Sequence, residues 1–164
     1  MAAIARAATE KVAGILAADT GLPFAVARLR ESEAAELPAI ESAQVLAQNI
    51  AYDVAEKKPG VTYPAVYVYC ESLANQLKEK FRTFSGKAEM AAEVRVSHDR
   101  LETLSRDVEL YASAVAGVLD SQRGDWGGGM FYAGGYKIEF GPVKRGGRNF
   151  IQTAKISFEL DVSN

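Results

Sequence analysis

The stretch from Phe150 to Val162 constrains this chain more than any other. Ala154, Ile156, Phe158, Leu160 and Val162 fall on one side of an extended strand, and Ile151, Thr153, Lys155, Ser157, Glu159 and Asp161 on the other. Alternation of this length predicts a strand with one face buried and one wet. Taken alone it reads as an open edge available to a partner, because an edge presents unpaired N–H and C=O groups. A chain with such a strand and no catalytic constellation points towards assembly.

The rest of the pattern says what the strand belongs to. Residues 2–18 predict a helix, with Ile4, Ala8, Val12, Ile15 and Leu16 as its apolar stripe and Gly21 and Pro23 as its stop. Phe24, Val26 and Leu29 read as the start of a strand. Residues 30–60 read as a partly extended, acidic excursion, closed by the turn signal Lys57-Lys58-Pro59-Gly60. Tyr63 to Cys70 predicts a strand, apolar on both faces as a doubly covered strand would be. A short helix is expected around Leu73–Phe81, then a strand over Glu89–Ser97.

Asp99 stands three residues before Glu102, at capping-box spacing. Leu101, Leu104, Val108, Tyr111, Ala112, Val115, Val118 and Leu119 then mark one side of a long helix at about 99–120. Gly124 to Gly129 reads as a flexible link. Tyr136–Phe140 predicts a strand pairing antiparallel with the closing one across a nine-residue loop. The expected fold is α+β: one domain over 1–164, with a mainly antiparallel sheet of four or more strands. It is packed by the N-terminal helix and the long helix, with 30–60 as a projecting excursion.

Composition limits the chemistry. At 48% hydrophobic and 24% charged, with net charge −2, the chain has the make-up of a globular protein without the basic excess that strong DNA binding needs. No apolar run reaches membrane-spanning length, and no secretory signal is expected. The single cysteine, Cys70, excludes an internal disulfide and a cysteine-based zinc site.

The lone histidine, His98, reads as a junction residue. As a catalytic base it would need partners such as Asp99 or Asp125, and no nucleophile motif accompanies it. The glycines at 124–129 lack the Lys-Ser/Thr of a phosphate loop and follow a helix rather than a strand. Glu102, Asp107 and Glu109 fall off the apolar stripe of the long helix and are expected in solvent. No catalytic, cofactor or metal site is expected.

Several pieces together resemble tail terminator and neck proteins of tailed bacteriophages. They are Tyr63-Pro64-Ala65-Val66-Tyr67-Val68-Tyr69, the strand Glu93-Val94-Arg95-Val96-Ser97 leading into the long helix, and the Gly-rich link to two closing strands. Phe140-Gly141-Pro142-Val143 and Phe150-Ile151-Gln152-Thr153-Ala154 complete the set. The similarity covers roughly residues 60–164.

The resemblance implies a non-enzymatic virion subunit, assembled in the host cytoplasm and located in the tail or neck. Its ring would be a homohexamer that caps the tail tube, halts polymerisation and joins the tail to the head. Implied partners are the tail tube protein, the sheath protein of a contractile tail, and head-proximal connector proteins. DNA would pass through the ring without sequence-specific binding. The surfaces expected to join subunits are Glu33, Glu36 and Glu41 of the excursion, Trp126, Met130 and Phe131 around the Gly-rich link, and Lys144, Arg145 and Arg148 of the last turn.

Overall fold

The closing strand, β8 (Asn149–Ser163), is the centre of the sheet rather than its edge. A computed structural model describes residues 3–58 and 60–164; the turn residue Pro59 lies outside the described residues. On one side β8 pairs antiparallel with β3 (Ser85–His98) along its whole length, from His98 opposite Phe150 to Ser85 opposite Ser163. On the other side three short strands cover it in relay: β5 (Met130–Tyr132), β6 (Lys137–Phe140) and β7 (Lys144–Gly146). Most of its backbone is thus taken up within the chain, and the longest stretch without a strand partner on that side is the short run Phe158–Leu160.

The sheet has eight strands. Its main path runs β1 (Val45–Leu46), β2 (Ala65–Asn75), β3, β8, β5 and β4 (Gly124–Gly127). Among the described residues only the β1–β2 pair is parallel. The fold is α+β and mainly antiparallel.

Helices cover one face. α1 (Ile4–Ala17) packs on β2, α4 (Leu101–Ser121) packs on β3 and β8, and α2 (Leu22–Ser32) lies against α4. Ala154, Ile156, Phe158, Leu160 and Val162 are buried beneath them, joined by Ala88, Met90, Ala92, Val94 and Val96 of β3. Ile4–Ser32 taken together is long and apolar enough to cross a membrane. It is nevertheless two helices, broken at Ala18–Gly21, with Ala8, Val12, Leu16, Leu22 and Val26 buried in the core.

Several expectations are corrected. Phe24, Val26 and Leu29 belong to α2, with Pro23 in its first turn, where a missing N–H costs nothing. The two helices meet so closely that a Cβ at Gly21 would lie 2.3 Å from the Ile15 carbonyl oxygen. The short helix expected at Leu73–Phe81 is absent, because β2 runs on to Asn75 through a bulge between Cys70 and Ser72. Pairing with Ala88, Lys87 and Gly86 holds it extended where the alternation is lost. α4 starts after Arg100 without a side-chain cap, so Asp99 is not its cap. The glycines at 124–129 are a β4–β5 hairpin rather than a flexible link. Gly127, Gly128 and Gly129 all take positive φ, which three consecutive glycines permit.

Residues 30–58 do not project. Ala34, Leu37 and Ile40 are buried in the main core, and the Tyr111 hydroxyl donates to the Pro38 carbonyl at 2.5 Å. A 3₁₀ turn (Ser42–Gln44) leads into β1 at the sheet edge. The chain then reaches the opposite face, where α3 (Tyr52–Glu56) sets Ala55 in a second apolar cluster with Ala65 and Tyr67. The segment is a strap around the β1 edge. Its apolar residues are too widely spaced to show a period, which hid this from the sequence.

Candidate interaction surfaces

Outside the α3 cluster, the second face of the sheet is open and charged. Tyr69 donates its hydroxyl to Glu93 at 2.7 Å, and Ser72 donates to Glu89 at 2.8 Å. Lys87 pairs with Asp161 at 3.1 Å; Lys155 pairs with Glu71, and Lys137 with Glu139. Apart from Lys137–Glu139, which lies within β6, cross-strand register makes these contacts, and alternation within one strand does not reveal them. Burial followed by the Glu93 hydrogen bond pushes the Tyr69 phenol well above its ordinary range.

Arg95 is the buried member of this face. Its Nη2 donates to the Ile50 carbonyl at 2.6 Å and to Glu93 at 2.9 Å, while Nε and Nη1 lack a partner. Beside it a cavity of about 330 Å³ is lined by Asn49, Tyr52, Glu93, Lys144 and Thr153. The structure therefore brings Lys144 to the α3 side of the open face, 5.8 Å from the Tyr52 ring centroid. Arg145 and Arg148 are exposed beside it in the β7–β8 turn.

The acidic residues divide by duty. Glu33 is exposed at the end of α2. Glu36 pairs with Arg106, whose Nη2 also holds Asp107 at 2.9 Å. Asp107 is buried, which corrects its expected place in solvent. Glu41 forms a capping box with Gln44 at the 3₁₀ turn. Two of the three thus have structural work within the chain.

Trp126 and Met130 are each only 8% exposed, so neither is offered to a partner by this fold. Trp126 Nε1–H donates to the Gln122 carbonyl at 2.6 Å, and its ring lies 5.5 Å from that of Tyr132. Phe131, on the other face of β5, is 46% exposed. Sequence reasoning missed the β2–β3 turn, where Leu77 and Phe81 stand exposed. It also missed a groove of about 680 Å³ between α2 and α4.

His98 and Asp125 do not come together. His98 Nδ1 accepts the Arg100 N–H at 2.9 Å and lies 3.0 Å from Asp99, so it is engaged in its own turn. Asp125 accepts the Gly127 N–H, and its strand reaches β8 at Asp161 while His98 faces Phe150, at the other end. Burial pushes the Cys70 thiol up, away from thiolate reactivity. Among the described residues no three His, Cys, Asp or Glu side chains gather.

These features define a two-layer α+β protein with a helix-covered face and a charged open face. No family model matches the chain, and no curated protein matches it.

Proposed function

We propose that this chain is a structural virion subunit of a tailed bacteriophage, a tail terminator. Six copies form a ring that caps the tail tube, stops its polymerisation and joins the tail to the head. The observation that carries this reading is the element order from β2 to β8: two long strands, one long helix, a glycine-rich hairpin, two short strands and a long closing strand. It supports the reading alongside the resemblance over residues 60–164. The open charged face adds support, since a surface of paired charges suits a wet lumen or a subunit contact better than a core. Partners are further copies of the chain, the tail tube protein, the sheath protein of a contractile tail, and head-proximal connectors. DNA passes through the lumen without sequence readout.

A second reading, another head-to-tail connector such as an adaptor, stopper or head-completion protein, rests on the β2–β3 hairpin. Its outer part, from Glu71 to Thr83, is exposed throughout and suited to reach a neighbouring ring. Electron microscopy of particles lacking the protein separates the two. Overlong tails are expected for a terminator; normal tails beside leaking heads indicate head completion. Normal tails with intact heads, from phage carrying a stop codon before residue 60, overturn both.

A further inference from the structure

The β2–β3 turn holds the most exposed aromatic side chain of the molecule, on a backbone that is fixed. Phe81 is fully exposed and Leu77 is 67% exposed, and both take positive φ (65° and 47°), a region bulky side chains rarely occupy. The turn is nonetheless tied down. Asn75 Oδ1 accepts the N–H groups of Leu77 at 3.2 Å and Ser85 at 3.1 Å, and Asn75 Nδ2 donates to the Thr83 carbonyl at 3.0 Å. The Thr83 and Phe84 N–H groups both donate to the Asn164 carbonyl. A strained, hydrogen-bonded turn that holds a phenyl ring in water has little function within one chain.

The groove between α2 and α4 has the complementary form. Ala25, Leu29, Ala114 and Val118 make its walls apolar, Phe24 stands half-exposed at its rim, and Gly117 opens its floor. A Cβ at Gly117 would meet nothing within 4 Å. Glycine inside a helix costs about 1 kcal/mol relative to alanine, and here no neighbour in the chain requires it.

Charge matches in part. Glu31 on the groove and Glu33 beside it have no ion-pair partner among the described residues, and neither do Lys78 and Lys80 on the turn. Arg28 also lines the groove, with its guanidinium 5.9 Å from the Phe24 ring, and Glu79 on the turn is paired with its neighbour Arg82.

We propose that the α2–α4 groove receives the Leu77–Phe81 turn of a second copy of this chain, with Phe81 over Gly117 and Lys78 and Lys80 against Glu31 and Glu33. This rests on the ring reading above and specifies its contact. Turn and groove are different patches, so the contact is heterologous and repeats from copy to copy, closing into a ring where the rotation allows. Because the turn is already ordered, docking costs little conformational entropy.

The test places a benzophenone amino acid at position 81 of the full chain and irradiates a mixture of isotopically light and heavy copies. Light–heavy cross-links from position 81 to residues 24–32 or 113–121 are expected. Gly117→Leu fills the groove floor from open space and favours the helix, so it folds; circular dichroism and the melting temperature check this. It is expected to remove these cross-links and to weaken self-association in sedimentation by about tenfold or more, the scale of one lost aromatic contact. Phe81→Ser is expected to weaken self-association in sedimentation to a similar extent from the other side. Cross-links mapping elsewhere, only within one copy, or not forming overturn the contact. The ring reading itself fails separately, through the tail phenotype.

Discussion

The Arg95 guanidinium carbon lies 4.3 Å from the centroid of the Tyr67 ring, so a buried cation stacks on the open face of the sheet where α3 covers it. Arg95 faces Ala65 across β2–β3, and Tyr67 faces Glu93. The stack is therefore a diagonal cross-strand contact, supported by the Glu93 carboxylate at 2.9 Å. It joins the strap to the sheet through the Ile50 carbonyl.

Glu93 should matter more than Arg95. Glu93→Gln leaves the guanidinium buried without its counter-charge and weakens the acceptor of the Tyr69 hydroxyl. A loss of about 2–3 kcal/mol is expected, at the low end for a broken buried pair because Glu93 is partly exposed. Arg95→Met keeps an apolar stem on Tyr67 and removes the unpartnered Nε and Nη1, so about 1 kcal/mol or less is expected. Urea unfolding of both variants decides the order; a larger loss for Arg95→Met would show that the ring stack outweighs the ion pair.

Trp126 is the only tryptophan, which makes its burial directly measurable. Native emission should be blue-shifted and poorly quenched by acrylamide, moving to the red on unfolding. Trp126→Phe loses the bond to the Gln122 carbonyl, at about 1 kcal/mol. Trp126→Ala empties the space beside Tyr132 and should cost about 3–5 kcal/mol in the same unfolding assay. Strongly quenched native emission would place the ring at the surface instead.

The β4–β5 turn offers a matched pair of glycines. A Cβ at Gly129 would lie 2.0 Å from the Ser163 carbonyl oxygen, at a φ of 78°, whereas Gly128 at 63° has open space. Gly128→Ala should cost about 1 kcal/mol from backbone strain alone. Gly129→Ala must also push β5 from β8 and should cost at least about 2 kcal/mol more, read as a shift in denaturation midpoint. Equal losses would mean that the hairpin moves without resistance.

What was legible in the sequence follows from which forces act locally. The face of β8 carrying Ala154 to Val162 and the stripe of α4 from Leu104 to Leu119 were both read from periodicity, because one-sided burial writes itself into spacing. Leu101, counted in that stripe, is half-exposed at the helix start. Phe24, Val26 and Leu29 looked like the start of a strand, a short run bracketed by Arg28 and Arg30, while helix packing against α4 decides the state of Leu22–Ser32. Leu37 and Ile40 gave no period, since irregular backbone buries residues one at a time. Trp126 was expected at a subunit surface; its burial was not legible because it depends on a hydrogen bond to the end of α4 and on packing against Tyr132. The Arg95 stack and the α2–α4 groove arise from long-range pairing, which no single segment records.

Alkaline pH should unfold the protein through its buried phenols. Burial, more than any charge, pushes Tyr111 and Tyr69 well above the ordinary phenol range, and Tyr132 is raised by the same cause. Each is held neutral in the folded state, while in the unfolded chain it ionises near pH ~10. Above that pH the unfolded chain has released protons that the folded one retains. The stability these groups contribute is therefore complete below about pH 10 and is lost as pH rises towards their folded values. Absorbance at 295 nm should show part of the tyrosinate signal appearing only together with loss of the circular dichroism signal. Tyr111→Phe removes one such group and its bond to the Pro38 carbonyl. It should lower stability at pH 7 by about 1 kcal/mol and flatten the decline above pH 10. If every tyrosine ionised before any loss of structure, burial of these phenols would be wrong, and with it the packing of the strap against α4.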